Sequence, residues 1–391
     1  MVPMQLNADA FKTELFRILS YWEKYAPDMQ RGGFYGSVSF NNVPQQEAPR
    51  SVVVNSRILW TFSMAHRLFP NPDYKAMADR AFQYLIRHFF DPEFGGVYWS
   101  VTAKGKPLET TKQMYGQAFA MYGLSEYYRA FKVEKALTLA KGLFDYIEKS
   151  AFDGEEGGYL EAIGRKGEPI DNYLLSQSPY SKSMNTHLHL IEAYTNLFTV
   201  WPDAKLKKQT TAMLLVIMDR IVDDTDRMKL FFTKKWIPKD KTISYGHDIE
   251  ASWLLYETAE LLGDHTVTET VRDRCLKMAE AATAGLGSDG ALNYEYFPET
   301  HHLQTNRSWW VLAEQVVGFY NAYQMSGNEK YLKTADRSWE YIQQKFMDTK
   351  RGEWHTTVLE NGTAVDGDKI HFWKAPYHNA RMCVQMWQRL S

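Results

Sequence analysis

The stretch DPEFGGVYWSV, Asp91 to Val101, decides how this chain folds. An acidic turn and a glycine pair end a helical pattern, and an alternating apolar run then begins a short strand. The same logic appears in DMQRGGFYGSV from Asp28 and DGEEGGYLEAI from Asp153. DTDRMKLFFTK from Asp224 and DTKRGEWHTTV from Asp348 keep it, with a degenerate copy, SDGALNYEYF from Ser288, between them. Six copies at near-even steps along 391 residues are an internal repeat. A second turn after the strand, Ala103-Lys104-Gly105-Lys106 or Gly164-Arg165-Lys166-Gly167, predicts a β-hairpin.

Two helical patterns lie between successive hairpins. Tyr74 to Phe90, YKAMADRAFQYLIRHFF, has apolar residues at three- and four-residue steps, the mark of an amphipathic outer helix. Ser51 to Phe69, SVVVNSRILWTFSMAHRLF, is apolar nearly all round and predicts a buried inner helix. Six such pairs predict an all-α, (α/α)6 barrel of helical-hairpin repeats, with short β-hairpins at one mouth. An open α-solenoid is the alternative. No Pro/Ser-rich linker interrupts the period, so residues 1–391 are expected to form a single domain.

Composition narrows the function. A hydrophobic share of 45% with 24% charged residues fits a globular protein with a sizeable core. A net charge of −2 argues against nucleic acid or an anionic membrane as partner. Cys275 and Cys383 sit in separate apolar helical patterns, which fits a reducing compartment better than a disulfide framework. The N-terminus, MVPMQLNADAFKTELF, lacks the pattern of a secretion signal, and no apolar run is long enough to span a membrane. A cytoplasmic monomer or homodimer is expected. The 15% aromatic content, with 12 Trp and 24 Tyr, would suit a cleft where sugar faces stack on rings.

Polar residues gather at the start of each inner helix. SMNTHLHLIEAY, Ser183 to Tyr194, carries two histidines that point to opposite sides of a helix, so His187 and His189 cannot share an ion. Asn185 and His189, four apart, do share a face. The other starts supply Arg57, then Tyr115 and Gln117, His247 and Glu250, Trp310 and Glu314, and Trp373, His378 and Arg381. In a closed barrel these ends converge on one mouth. His66, His88, His265, His301, His302, His355 and His371 are read instead as caps, core groups or solvated residues. Glu250 and Glu314 lie in apolar surroundings and need a cation, an imidazole or a ligand hydroxyl, with Arg57 a candidate counterion.

No Gly-rich phosphate loop, GxSxG elbow, HExxH or Cys-rich metal pattern occurs, so no metal or cofactor is expected. Imidazoles with near-neutral pKa values act as acid or base at cellular pH. A pair on opposite sides of a carbon suits epimerisation next to a carbonyl. Asp248, Glu250 and Glu314 admit a different reading, an inverting glycoside hydrolase, but that leaves the histidines without a role.

NSRILW from Asn55, MNTHLHLIEAY from Met184, SYGHDIEASWLL from Ser244 and FWKAPYHNARMC from Phe372 closely resemble the cellobiose 2-epimerases of the N-acylglucosamine 2-epimerase superfamily. The resemblance runs from about Trp22 to the C-terminus and implies an (α/α)6-barrel isomerase without metal or nucleotide cofactor. It implies that His247 and His378 are the acid/base pair at C2, with His378 also assisting ring opening and His189 supporting the open-chain sugar. Arg57 would hold the enediolate oxygen. Tyr115, Asn185, Glu250 and Glu314 would bind the sugar, with Trp310 and Trp373 stacking on its rings. Leu312 and Gln315 depart from the family pattern, where glutamine and alanine are expected. Relatives acting on free mannose and glucose, or isomerising aldose to ketose, share the same histidines.

Overall fold

The computed structural model describes residues 6–391. Residues 1–5, the head of the stretch read for a leader and of the expected single domain, lie outside the described residues. Helices alternate between two shells. The outer shell is α1 (Ala8–Tyr25), α3 (Pro72–Tyr84), α5 (Glu134–Ser150), α7 (Ala204–Val216), α9 (His265–Ala282) and α11 (Glu329–Tyr341). The inner shell is α2 (Val52–Leu68), α4 (Met114–Phe131), α6 (Met184–Phe198), α8 (Tyr245–Leu262), α10 (Trp309–Ser326) and α12 (His378–Leu390).

The inner helices are buried on every face for most of their length; α2 is buried without a break from Val52 to Ala65. From α2 to α12 each packs against the next, and each packs against an outer neighbour. The ring closes. Thr61 of α2 donates to the Pro376 carbonyl at 3.2 Å, and α1 packs on α12. Trp22 Nε1 donates to Glu353 at 2.6 Å and Trp354 Nε1 to Glu14 at 2.6 Å, which stitches the first helix to the last repeat. This is an (α/α)6 barrel, and the closure excludes the open solenoid.

The expected hairpins are present. Ser100–Val101 pairs with Pro107–Glu109 across the Ala103–Lys106 turn and Glu295–Phe297 with His302–Gln304, while shorter hairpins bridge Val38 to Pro44, Phe232 to Pro238 and Val358 to Ala364. A second ladder, not expected, runs between repeats. Arg50–Ser51 pairs with Ser100–Val101, Lys112–Gln113 with Ala162–Ile163, Lys182–Ser183 with Phe231–Phe232, and Arg307–Ser308 with Thr357–Val358. Ile243–Ser244 with residues of Glu295–Phe297, and the Val38–Ile370 bridge, complete the circle. The next repeat presents a fixed edge of backbone donors and acceptors, so short strands such as the one at Phe232 pair both within their own hairpin and across the repeat boundary.

The acidic turns have an electrostatic purpose. Asp91 accepts the backbone N–H groups of Glu93 and Phe94 and an ion pair from Lys112 at 3.0 Å, on the strand leading into the next inner helix. Asp28–Arg50 at 2.5 Å, Asp153–Lys182 at 2.9 Å, Asp289–Arg307 at 3.1 Å and Asp348–Lys369 at 2.9 Å repeat the clamp. The glycine pair is required for the close approach. Gly157 and Gly158 have φ of +75° and +73°, and a Cβ on Gly158 would stand 2.7 Å from His187 Nε2. That histidine is structural. Its Nε2 accepts the Tyr159 N–H at 2.9 Å, so its Nδ1–H donates to the Ser183 carbonyl at 2.7 Å, and burial pushes its pKa down to about 4.

Candidate active site

The N-terminal halves of the inner helices surround a cavity of about 350 Å³. Arg57, Tyr115, Asn185, His189, His247, Glu250, Trp310, Trp373 and His378 line it together, delivered by all six inner helices and the lead-in to the last. Leu175, Tyr294, Trp309 and His371 line it as well. Glu314 does not: it lies buried behind His378.

Each of the three imidazoles is fixed through Nδ1. His189 Nδ1 is 2.9 Å from Glu192, His378 Nδ1 is 2.7 Å from Glu314, and His247 Nδ1 is 2.7 Å from the Ser244 hydroxyl. For His189 and His378 the carboxylate partner places the proton on Nδ1 and leaves Nε2 with a free lone pair. No protein group among the described residues bonds any of the three Nε2 atoms. The Trp310 ring touches both members of the pair, its centroid 4.7 Å from His247 and 5.8 Å from His378.

The imidazoles are not near neutrality, contrary to the expectation above. Burial lowers His247 to about 3, with the neighbouring His189 adding to the effect. Burial, then Arg57 and Arg381, hold His378 well below its usual value. His189 is lowered by burial, although Glu192 opposes the shift. All three therefore rest as neutral bases.

Arg381 is the counterion of the buried carboxylates, a position suggested above for Arg57. It donates to Glu250 at 2.8 Å and Glu314 at 2.7 Å and pairs with Glu192, whose carboxylate also accepts from Tyr377. One guanidinium cannot neutralise three carboxylates. Burial and the Glu314 charge lift Glu250 to about 8, so it faces the cavity as a protonated acid, while Arg381 helps keep Glu192 ionised at about 2. Arg57 instead donates to the Tyr115 hydroxyl at 2.9 Å and the Trp373 carbonyl at 3.1 Å. Its guanidinium carbon lies 4.2 Å from the centre of the Phe119 ring. None of its bonds goes to a carboxylate, which leaves its charge available to an anion in the cavity.

His371, read as a cap, core group or solvated residue, does accept the Trp373 N–H on Nδ1 at 3.2 Å, and its ring also lines the cavity. The two departures from the family pattern leave the cavity untouched. Gln315 bonds the Leu292 N–H at 2.9 Å and the Gly290 carbonyl at 2.7 Å, as Gln117 bonds both backbone groups of Val97, and Leu312 is fully buried away from the cavity.

A closed (α/α)6 ring around neutral imidazoles, an unneutralised guanidinium and a protonated carboxyl group defines a barrel enzyme of the acid–base type. Residues 33–381 match the N-acylglucosamine 2-epimerase (GlcNAc 2-epimerase) family, and the chain belongs to it. A cellobiose 2-epimerase of Bacteroides fragilis is 44% identical over 374 residues, covering 95% of each chain. The solved cellobiose 2-epimerase from Bacillus thermoamylovorans B4167 superposes with a TM-score of 0.93 at 36% identity, over 98% of this chain and 99% of that one. A D-mannose isomerase structure, 20% identical with a TM-score of 0.90 over the whole of both chains, shares the fold.

Proposed function

We propose that this chain is a carbohydrate 2-epimerase that interconverts glucose and mannose configuration at the reducing-end C2 of a β-1,4 disaccharide such as cellobiose or lactose. The observation that carries the reading is the pair of cavity imidazoles, His247 and His378, with Arg57 free of any carboxylate beside them. Likeness over nearly the whole chain to cellobiose 2-epimerases supports the disaccharide. The enzyme is a cytoplasmic monomer or homodimer, one domain throughout, and two buried unpaired cysteines fit that compartment.

His378 relays the proton from the anomeric hydroxyl to the ring oxygen and opens the pyranose. His247 then removes the C2 proton through Nε2. Negative charge develops on the enediolate oxygen, where the fixed Arg57 guanidinium stabilises it in a site largely cleared of water. Rotation about C2–C3 turns the other face to His378. His378, after taking up a solvent proton on Nε2, delivers it to C2 and returns to neutral. The enediolate charge and Glu314 at Nδ1 favour that transient imidazolium, and the proton left on His247 goes back to solvent between turnovers. His189 and Asn185 hold the open chain, Tyr115 positions Arg57, and protonated Glu250 donates to a hydroxyl. Trp310 and Trp373 pack against sugar rings. Glu314 acts through His378 rather than on the sugar.

A hydrolase needs two carboxyl groups facing the scissile bond. Glu250 is the one carboxyl among the cavity-lining residues, and Asp248 is spent on the Met228 N–H and Arg227. The deciding experiment is product chromatography after separate incubation with cellobiose, lactose, mannose and fructose. A 4-O-glucosyl-mannose product from cellobiose supports the proposal. Free glucose from cellobiose would mean hydrolysis, and turnover of the monosaccharides alone would move the enzyme to the mannose/glucose epimerases or aldose–ketose isomerases.

Chelation should leave the rate unchanged. Ligand atoms of Glu250, Glu314 and His378 lie within 4.8 Å of one another, a spacing that suits an ion, but the Arg381 guanidinium already bonds both carboxylates. Loss of activity with EDTA that a divalent ion restores would show that a metal displaces Arg381.

The acid limb of kcat/KM should fall well below pH 6.5. A base whose pKa is lowered stays competent until the pH drops through the lowered value. An ordinary imidazole would be about nine-tenths protonated at about pH 5.5, whereas His247, held at about 3, remains neutral there. We expect kcat/KM at about pH 5.5 to lie within about threefold of that at about pH 7.5. A tenfold fall over this range would place the essential base outside the buried set.

A further inference from the structure

The barrel has a second chamber at its other end. It holds about 540 Å³, far above the ~10–15 Å³ that one water needs. The C-terminal halves of the inner helices wall it with recurring stripes, such as Tyr122, Glu126 and Arg129 on α4 and Glu192 and Thr195 on α6, with Thr199 just past its end. Its floor is the back of the catalytic cavity: Glu192 and Arg381 line this chamber and not the front one. Arg381 Nε is a buried donor with no partner among the described residues, which a chamber water would satisfy. Trp60 and Tyr122 stack on each other at 5.2 Å, and Arg381 lies over Trp253, so ring faces here are already spent. Charged and hydroxyl side chains within the lining, Glu126, Arg129, Thr195 and Glu257 among them, point to water as the occupant.

Glu192 joins the two spaces. Its Oε1 is held by Arg381 and Tyr377, and its Oε2 accepts from His189 Nδ1 at 2.9 Å, while His189 itself lines the catalytic cavity. His189 also stands close enough for its charge to bear on both His247 and His378. Arg57 and Arg381 are the cations that bear on His189.

Resting on the epimerase reading, a chemical need meets this geometry. Each turnover leaves a proton on one base and takes one from the other, and the sugar that fills the front cavity excludes the water that would reset them. We propose that the rear chamber is the solvent side of a proton route, in which Glu192 passes protons between chamber water and His189. A proton reaching His189 Nε2 releases the Nδ1 proton to Glu192 Oε2. Glu192 hands it to a chamber water and returns to carboxylate, leaving His189 neutral with its proton on Nε2. The reverse sequence loads a proton from solvent, and no bond other than N–H and O–H changes. Glu192 is ionised down to about 2, so its protonated state is transient.

The test is epimerisation of saturating cellobiose in D2O, reading kcat and the hydrogen isotope at C2 of the product. The wild-type product should carry solvent deuterium at C2. Thr195→Leu dries the chamber one turn beyond Glu192 without touching the bonds among Glu192, Arg381 and Tyr377. It should lower kcat at least about threefold, or raise retained protium by that factor, with KM unchanged. Glu192→Gln should move the same readouts further, and Glu192→Asp should restore part of the loss. A folded Thr195→Leu protein with wild-type kcat and fully deuterated product overturns the route while leaving the epimerase reading intact. If no sugar is epimerised by the wild-type protein, the functional reading and the route fall together.

Discussion

His247→Ala and His378→Ala should each lower kcat/KM for epimerisation by about 10²–10⁴-fold, the usual contribution of one general acid or base. Epimerisation needs both faces of C2 served, so loss of either base stops one obligatory half-reaction. The fold should survive both changes. The side chains line a cavity rather than fill the core, and Arg381 continues to hold Glu314 when His378 is gone. The two variants should also differ. His378→Ala additionally loses the relay that opens the ring, so a substrate with a larger open-chain fraction should rescue it more than it rescues His247→Ala. His189→Ala should be milder than both, since His189 holds the open chain and exchanges protons without contacting C2. A loss of less than tenfold at His247 or His378, in protein with native circular dichroism, removes that residue from the acid/base pair. His189→Ala as the most damaging of the three would move the base to α6.

Much of this site was legible in the chain. The repeat of acidic turns located six helix starts, and helical spacing then put Asn185 with His189, and His247 with Glu250, on shared faces. Those residues do meet in one cavity. What escaped the sequence was pairing across the ring. Arg381 shares a helix face with His378, but nothing along the chain tells it apart from Arg57 as the counterion of Glu250 and Glu314, because that depends on which helices face each other after closure. His371 escaped for a different reason. It lies in the irregular lead-in to α12, where no periodicity marks the inward side. The strand ladder between repeats escaped because two-residue strands carry no alternation to read. The rear chamber, by contrast, left a signal. Trp60, Met64 and Arg67 on α2 repeat the spacing of Tyr122, Glu126 and Arg129 on α4, a stripe continuing the one that carries Arg57 and Tyr115.

Arg381→Ala should cost the fold about 3–5 kcal/mol, the effect of removing one partner from a buried ion pair. The figure attaches to a guanidinium that is 3% exposed, among Glu192, Glu250 and Glu314, all of them buried. Without it, Glu192 loses the cation that contributes most to keeping it ionised, and no other Arg or Lys pairs with Glu250 or Glu314 among the described residues. The penalty should depend on pH in a definite sense. A buried carboxyl group whose folded pKa lies above its unfolded value holds more protons folded than unfolded between the two values. Stability therefore falls as pH rises through that window. For Glu250 the window already runs from 4.5 to about 8 in the intact protein, and losing Arg381 pushes the folded values of all three carboxyls higher. Urea unfolding should accordingly show the variant's deficit largest near about pH 8 and smaller near about pH 5.5, where the carboxyls of the folded variant are protonated and uncharged. Arg381→Lys should recover only part of the loss, since a single ammonium cannot reach in three directions as a planar guanidinium does. A deficit below about 1 kcal/mol, or one that does not change with pH, would mean that the carboxylates carry no net charge for Arg381 to balance.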